Sequence, residues 1–125
     1  MSPLLFLGIA LAGGVGAACR FVVDGLLRAR IVSAYPWATT VVNVTGSLVL
    51  GFVVGLAGSG VVSEEVHLVL GAGFLGGYTT FSTASAETVR LLLERRLTAG
   101  LASGLGMLVL SVLAAALGVW LGMLV

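Results

Sequence analysis

The residues most able to do chemistry lie in one segment, Gly71-Ala72-Gly73-Phe74-Leu75-Gly76-Gly77-Tyr78-Thr79-Thr80-Phe81-Ser82-Thr83-Ala84-Ser85-Ala86-Glu87. Thr79, Thr80, Ser82, Thr83 and Ser85 place five hydroxyls in seven residues, beside a double glycine and ahead of a carboxylate. One or two such hydroxyls would bond back to their own helix carbonyls; this density favours a polar pathway. A second polar line is Thr39, Asn43 and Ser47, spaced i, i+4, i+8 and so on one helix face. Ser103, Met107 and Ser111 repeat the spacing further on. These lines hold hydroxyls, one amide and the Phe81 ring, with no carboxylate or lysine in their middle. They do not suit a proton relay, which needs a titrating group. They suit a small, strongly hydrated anion, because neutral donors replace part of its water shell without trapping it, and the ring edge of Phe81 is electropositive. Asn43 can serve as interhelical glue or offer its amide N–H to such an ion.

The elements that must carry these residues are set by charge. Of 125 residues, 59% are hydrophobic and 9% charged, whereas a soluble domain carries about 25% charged residues. The charges cluster at Arg20–Arg30, at Glu64 and Glu65, and at Glu87–Arg96. The charge-poor stretches between them are each long enough for a membrane span of about 20 residues. The expectation is an all-α membrane protein, one domain over 1–125, with four transmembrane helices at about 3–26, 37–57, 66–93 and 98–124. The runs are continuous and too long for barrel strands, which alternate over about 10 residues. The first span lacks a basic leader and a cleavage-like segment, so it is expected to remain as a helix. Trp37 and Trp120 suit interface anchors. Tyr35-Pro36 should close the first loop, Cys19 should act as a small apolar filler, and His67 should lie at an interface.

The third span should be broken. Gly76-Gly77 falls about ten residues, roughly 15 Å, into it and therefore near the bilayer midplane. Two glycines followed by two β-branched threonines make poor helix, and lipid cannot satisfy the backbone groups a break frees. Such breaks persist where the backbone is buried or lines a wet cavity or ion site. Glu87, at the end of the run, either reaches the interface or takes a buried partner such as Arg20. The many glycines, 19 in all, fit close helix packing; Ser47, Gly51 and Gly55 form one small-residue ridge, and Gly100 with Gly104 begins another. Four helices make a thin bundle, so oligomerisation is expected.

At this point the chain resembles the Fluc (CrcB-type) fluoride channel family over its whole length. Gly13-Gly14-Val15-Gly16-Ala17-Ala18-Cys19-Arg20 is similar to the family's glycine-rich first-span motif that ends in an arginine. Trp37-Ala38-Thr39-Thr40-Val41-Val42-Asn43-Val44-Thr45-Gly46-Ser47 resembles GTxxxNxxGS with Ala38 in place of glycine, and Gly73 to Thr83 resembles GFxGGxTTFST. The resemblance implies an antiparallel, dual-topology dimer with two narrow pores in the inner (plasma) membrane, passing fluoride passively out of the cytoplasm. It implies a fluoride pathway along Asn43, Phe81, Ser82 and Thr83, to which the polar lines add Thr39 and Ser111, with Arg20 and Glu87 as polar partners. It implies a structural sodium ion, Na+, at the dimer centre, held by the backbone carbonyls of Gly76 and Thr79. Two positions depart from the family pattern: the usual second phenylalanine is Ala84, and the fourth span offers only Ser103, Met107 and Ser111 where a Tyr/Ser track is usual.

Two rival readings differ in class. A small multidrug exporter would need a carboxylate embedded in the first span, and none precedes Asp24. A non-conducting partner or scaffold subunit of a heterodimeric channel would lack use for the polar lines. No nucleophile–base pair or metal cluster points to an enzyme, and a net charge of +1 gives no reason for a nucleic-acid partner. Arg28, Arg30, Arg95 and Arg96 fall in the first and third loops, while the 58–65 loop and both termini contain no lysine or arginine. The positive-inside rule therefore puts loops one and three in the cytoplasm. A chain so biased should insert one way and pair with an oppositely oriented homologue; the competing arrangement is a homodimer in which pairing overrides the bias.

Overall fold

Ser2 and Pro3 start the first helix: the Ser2 hydroxyl accepts the Leu5 amide at 3.1 Å, and Pro3 occupies the first turn, where no N–H is needed. In the computed structural model, which describes all 125 residues, this helix α1 runs Pro3–Arg30. It is longer than the sequence implied, about 42 Å at the usual rise, so its basic end extends past the apolar stretch. Helix α2 is Trp37–Gly58. The third span opens with a Ser63 cap on the Val66 amide and continues as Glu64–Leu68, a π-helical stretch Val69–Leu75 and Gly76–Tyr78, together α3 (64–78). Thr79 is extended, at φ −80° and ψ 161°, and the chain resumes as α4 (Ser82–Leu93). Helix α5 is Leu97–Met123, with a π-helical stretch Ala102–Gly106 near its start.

The chain is thus an almost wholly helical membrane protein. Helices α1, α2 and α5 are each long and apolar enough to cross a membrane unbroken. Only 20 of 125 residues are buried, and leucine, valine and phenylalanine cover the outside. That surface is stable only where the surrounding medium is itself apolar.

The bundle is built from two backbone-to-backbone pairs. Helix α1 packs on α3, where a Cβ on Gly16 would lie 1.9 Å from the Phe74 carbonyl oxygen and one on Gly77 2.1 Å from that of Gly13. Helix α2 packs on α5, where a Cβ on Gly51 would meet the Ala115 oxygen at 2.1 Å and one on Gly118 the Leu48 oxygen at 2.2 Å. The ridge on α2 is the one expected from Gly51 and Gly55, but its partners on the fourth span are Gly118 and Gly122. Gly100 and Gly104 instead face Leu92 and Thr88 of α4, so they seat the segment after the break. Without a hydrophobic driving force between helices in lipid, such close approach is what binds them.

Adding a methyl group at Gly118 must push α2 and α5 apart, and overpacking of this kind costs about 1–3 kcal/mol. Gly118→Ala is expected to lower the thermal midpoint in detergent, followed by size-exclusion recovery after heating. Gly14→Ala and Gly106→Ala, where a Cβ meets nothing within 4 Å, are expected to leave it within the range of ordinary surface changes.

Candidate functional site

The last helical hydrogen bond before the break runs from the Thr79 amide to the Leu75 carbonyl at 2.9 Å, and beyond it one side chain takes over. Asn43 Oδ1 accepts the Thr80 amide at 2.8 Å, and Asn43 Nδ2 donates to the Thr80 carbonyl at 2.8 Å. The second Nδ2 hydrogen faces the Met107 sulfur at 3.3 Å. A carboxamide has the donor–acceptor pair of a peptide group, so Asn43 supplies to Thr80 what the missing helical turn would have supplied. Thr80 then passes the interaction on: its hydroxyl accepts the Thr83 amide at 3.2 Å and so caps the start of α4. Gly46, one turn beyond Asn43, leaves room for the Thr79 methyl, which a Cβ there would meet at 2.4 Å. The polar face of α2, Thr39, Asn43 and Ser47, is therefore also a mould for the break.

The interruption lies at Thr79–Phe81, beginning two residues after the double glycine, while Gly76–Tyr78 is helical. Weak helix propensity at Gly76-Gly77 is overridden by packing, because Gly77 is pressed against Gly13 of α1. Arg20 Nε also donates to the Gly77 carbonyl at 3.2 Å. Two carbonyls near the break receive no hydrogen bond. The Thr80 amide, which a continued helix would direct to Gly76, goes to Asn43, and the Thr83 amide, which would go to Thr79, goes to the Thr80 hydroxyl. Gly76 is exposed on the outer face of the subunit. Unpaired backbone oxygens are the donors a hard cation prefers.

Thr80 and Asn43 separate two spaces. A small cavity of about 200 Å³ is lined by Arg20, Asp24, Thr39, Thr80 and Thr83 with apolar neighbours. A larger groove of about 550 Å³ runs between α2, α4 and α5, with Asn43, Ser47, Thr80, Phe81, Ser103 and Ser111 on its wall. Ala84 lies in the same wall, so its methyl leaves the groove wide. The Phe81 ring is 86% exposed. The Ser111 hydroxyl is buried without a partner, and the Ser103 hydroxyl pairs with that of Thr88 at 3.0 Å. No carboxylate lines the groove, which can therefore solvate an anion with neutral donors and repel it with none.

Of the residues singled out by sequence, Asn43, Thr79, Phe81 and Ser111 meet in the groove, and Thr39 and Thr83 meet in the small cavity. Ser82 lines neither, and its hydroxyl lies 3.4 Å from that of Thr80. Arg20 is not the partner of Glu87. That buried carboxylate accepts a short bond from the Thr39 hydroxyl and faces Arg28 Nη2 at 3.3 Å, because α1 continues two turns past Arg20. The Arg28–Glu87 contact also puts the ends of α1 and α4, with their arginines, at one end of the bundle. The part played by Thr80 was not apparent in the sequence. Arg28 had a local signal in its i, i+4 spacing from Asp24, whose Oδ2 it meets at 2.8 Å.

A family model described as CrcB-like protein, Camphor Resistance (CrcB), matches residues 7–123. The chain is 52% identical, over 98% of its own length and 89% of the other, to "Fluoride-specific ion channel FluC 1" of Leifsonia xyli subsp. xyli. It is 46% identical to "Fluoride-specific ion channel FluC 2" of Mycolicibacterium paratuberculosis, over 97% of this chain and 96% of that protein. To the FluC 2 of Mycobacterium tuberculosis H37Rv it is 39% identical, over 97% and 93%.

Asn43→Leu removes both bonds to Thr80 and leaves a part-buried backbone N–H and C=O without their partner, at about 1–3 kcal/mol each. The amides of 79–82 are then expected to exchange with deuterium far faster than in the parent protein, while those of α2 and α5 keep their protection. Hydrogen-exchange mass spectrometry in detergent reads this directly. Unchanged exchange at 79–82 would show that Asn43 does not hold the break.

Proposed function

The chain belongs to the CrcB-like protein family, and we propose that it is a subunit of a fluoride-selective channel that lets fluoride leave the cytoplasm down its gradient. It is a multi-pass protein of the cell membrane and carries out no covalent chemistry. The observation that carries the fluoride reading, beyond family membership, is the groove of neutral donors organised around Asn43 and the break. Fluoride is small and strongly hydrated, so it enters only where several donors replace its water together. Hydroxyls on Ser47, Ser85, Ser103 and Ser111 and the exposed ring edge of Phe81 offer that replacement. A larger and more weakly hydrated anion gains less from the same donors. The route runs from the small cavity at Thr39 and Thr83, past Asn43 and Phe81, along the groove to Ser111, with Ser82 at its edge.

A second subunit completes the pathway. One subunit leaves the groove open along its side and leaves Phe81 and Gly76 exposed. An antiparallel partner, either a second copy or an oppositely inserted homologue, would cover both and bring the two breaks together. At that contact the carbonyls of Gly76 and Thr79 would hold a sodium ion, whose charge would satisfy oxygens that lack any N–H partner.

Purified protein in liposomes loaded with fluoride or with chloride is expected to release fluoride, read with an ion-selective electrode, and to retain chloride. Phe81→Ala is expected to slow fluoride release by about an order of magnitude or more, in line with loss of a contact of roughly 1.4 kcal/mol or above. Equal release of the two anions by the parent protein would contradict the reading. The sodium site is tested separately: the thermal midpoint of the dimer in detergent should rise with sodium and not with an equal concentration of N-methylglucamine.

A further inference from the structure

At the end of the bundle where α1 and α4 meet, one guanidinium spans two carboxylates from different helices. Arg28 Nε lies 2.8 Å from Asp24 Oδ2 on α1, and its Nη2 lies 3.3 Å from Glu87 Oε1 on α4. The same Nη2 donates to the Thr39 hydroxyl of α2 at 3.3 Å, and that hydroxyl donates to Glu87. The Glu87 side chain is 9% exposed, and its second oxygen is buried with no partner. Thr39 and Asp24 line the small cavity together with Arg20. Arg28 and Glu87 also line an adjoining cavity with Arg90, so three guanidiniums, Arg20, Arg28 and Arg90, and two carboxylates, Asp24 and Glu87, lie about the small cavity.

We propose that Arg28 is a positioning residue for anion entry: its guanidinium cancels the buried charge of Glu87 and so keeps the small cavity from repelling fluoride. The proposal rests on the fluoride-channel reading above. Without Arg28 no cation remains within 4 Å of Glu87, the least solvated member of the cluster, a carboxylate behind the Thr39 hydroxyl. A unit charge several ångströms from the path, in a medium between protein and water, changes anion occupancy on the order of three- to tenfold. Arg28 is itself nearly half exposed, so part of this effect must be screened by salt. A purely structural ion pair has no reason to show that dependence.

The test is fluoride release from liposomes containing the parent protein, Arg28→Gln, Glu87→Gln and the double variant, each at about 10 mM and about 300 mM of an impermeant electrolyte, spanning Debye lengths from roughly 30 Å to below 8 Å. All four are first checked for an intact dimer by size exclusion. Arg28→Gln is expected to slow fluoride about three- to tenfold at low salt and less at high salt, and Glu87→Gln in the same chain should restore most of the rate. Parent-like flux of Arg28→Gln at low salt would overturn the proposal while leaving the channel reading intact. So would a loss of flux that neither salt nor Glu87→Gln relieves, which would make Arg28 a packing residue. A parent protein that releases no fluoride would overturn both.

Discussion

A backbone polar group inside a membrane has no water to turn to, and the structure depends on how one side chain meets that constraint. The third span gives up its helix at Thr79–Phe81, and Asn43 presents an acceptor to the Thr80 amide and a donor to its carbonyl, both at 2.8 Å. An apolar residue at 43 would leave two groups unpaired, and the cost of each in lipid is several times what a typical hydrogen bond adds to stability. Because Asn43 satisfies the break from a neighbouring helix, the chain can change direction without a loop. The same exchange of partners leaves the carbonyls of Gly76 and Thr79 without donors and turns the hydroxyls that follow toward a common space.

The change of direction is what gives the bundle a groove. Before the break, α3 lies against α1, glycine to backbone at Gly16 and Gly77. After it, α4 lies against the first turns of α5, where Gly100 accepts Leu92 and Ser103 meets Thr88. A continuous third helix would follow α1 throughout, and Asn43, Ser47 and Ser111 would face lipid or a fourth apolar surface. The pair α2 and α5 is packed glycine to backbone at Gly51, Gly55, Gly118 and Gly122, while α4 lies against the start of α5. Apart from Thr79 and Thr80 in the break, the donors that line the groove sit on helices, so their spacing is held by the same close packing that holds the fold.

Much of this was legible in the sequence. Charge-free stretches between arginine and glutamate clusters are what lipid requires, and they placed the helices to within a few residues at most ends. The exception was α1, which runs on to Arg30 because a helix can extend into the interface when its last turn is basic. The non-helical residues of the third span begin at Thr79, two residues beyond the double glycine where the sequence suggests a break. Propensity pointed to Gly76-Gly77, whereas Gly77 is held helical by its contact with Gly13 and the break falls where Asn43 can serve it. The partner of Glu87 was not legible, since Arg20 and Arg28 share a helix and only the observed length of α1 decides between them. Thr80 looked like one more hydroxyl, because the role it takes depends on a side chain 37 residues away.

On this reading the Asn43-held break is the conducting part of the molecule and not merely its joint. The most direct measurement is the fluoride flux of Asn43→Leu protein shown by size exclusion to be assembled as the parent is, with chloride release recorded beside it. Fluoride flux is expected to fall at least about tenfold while chloride remains excluded, because the break loses its mould and the groove its only side-chain amide. Assembled Asn43→Leu protein passing fluoride at the parent rate would contradict it.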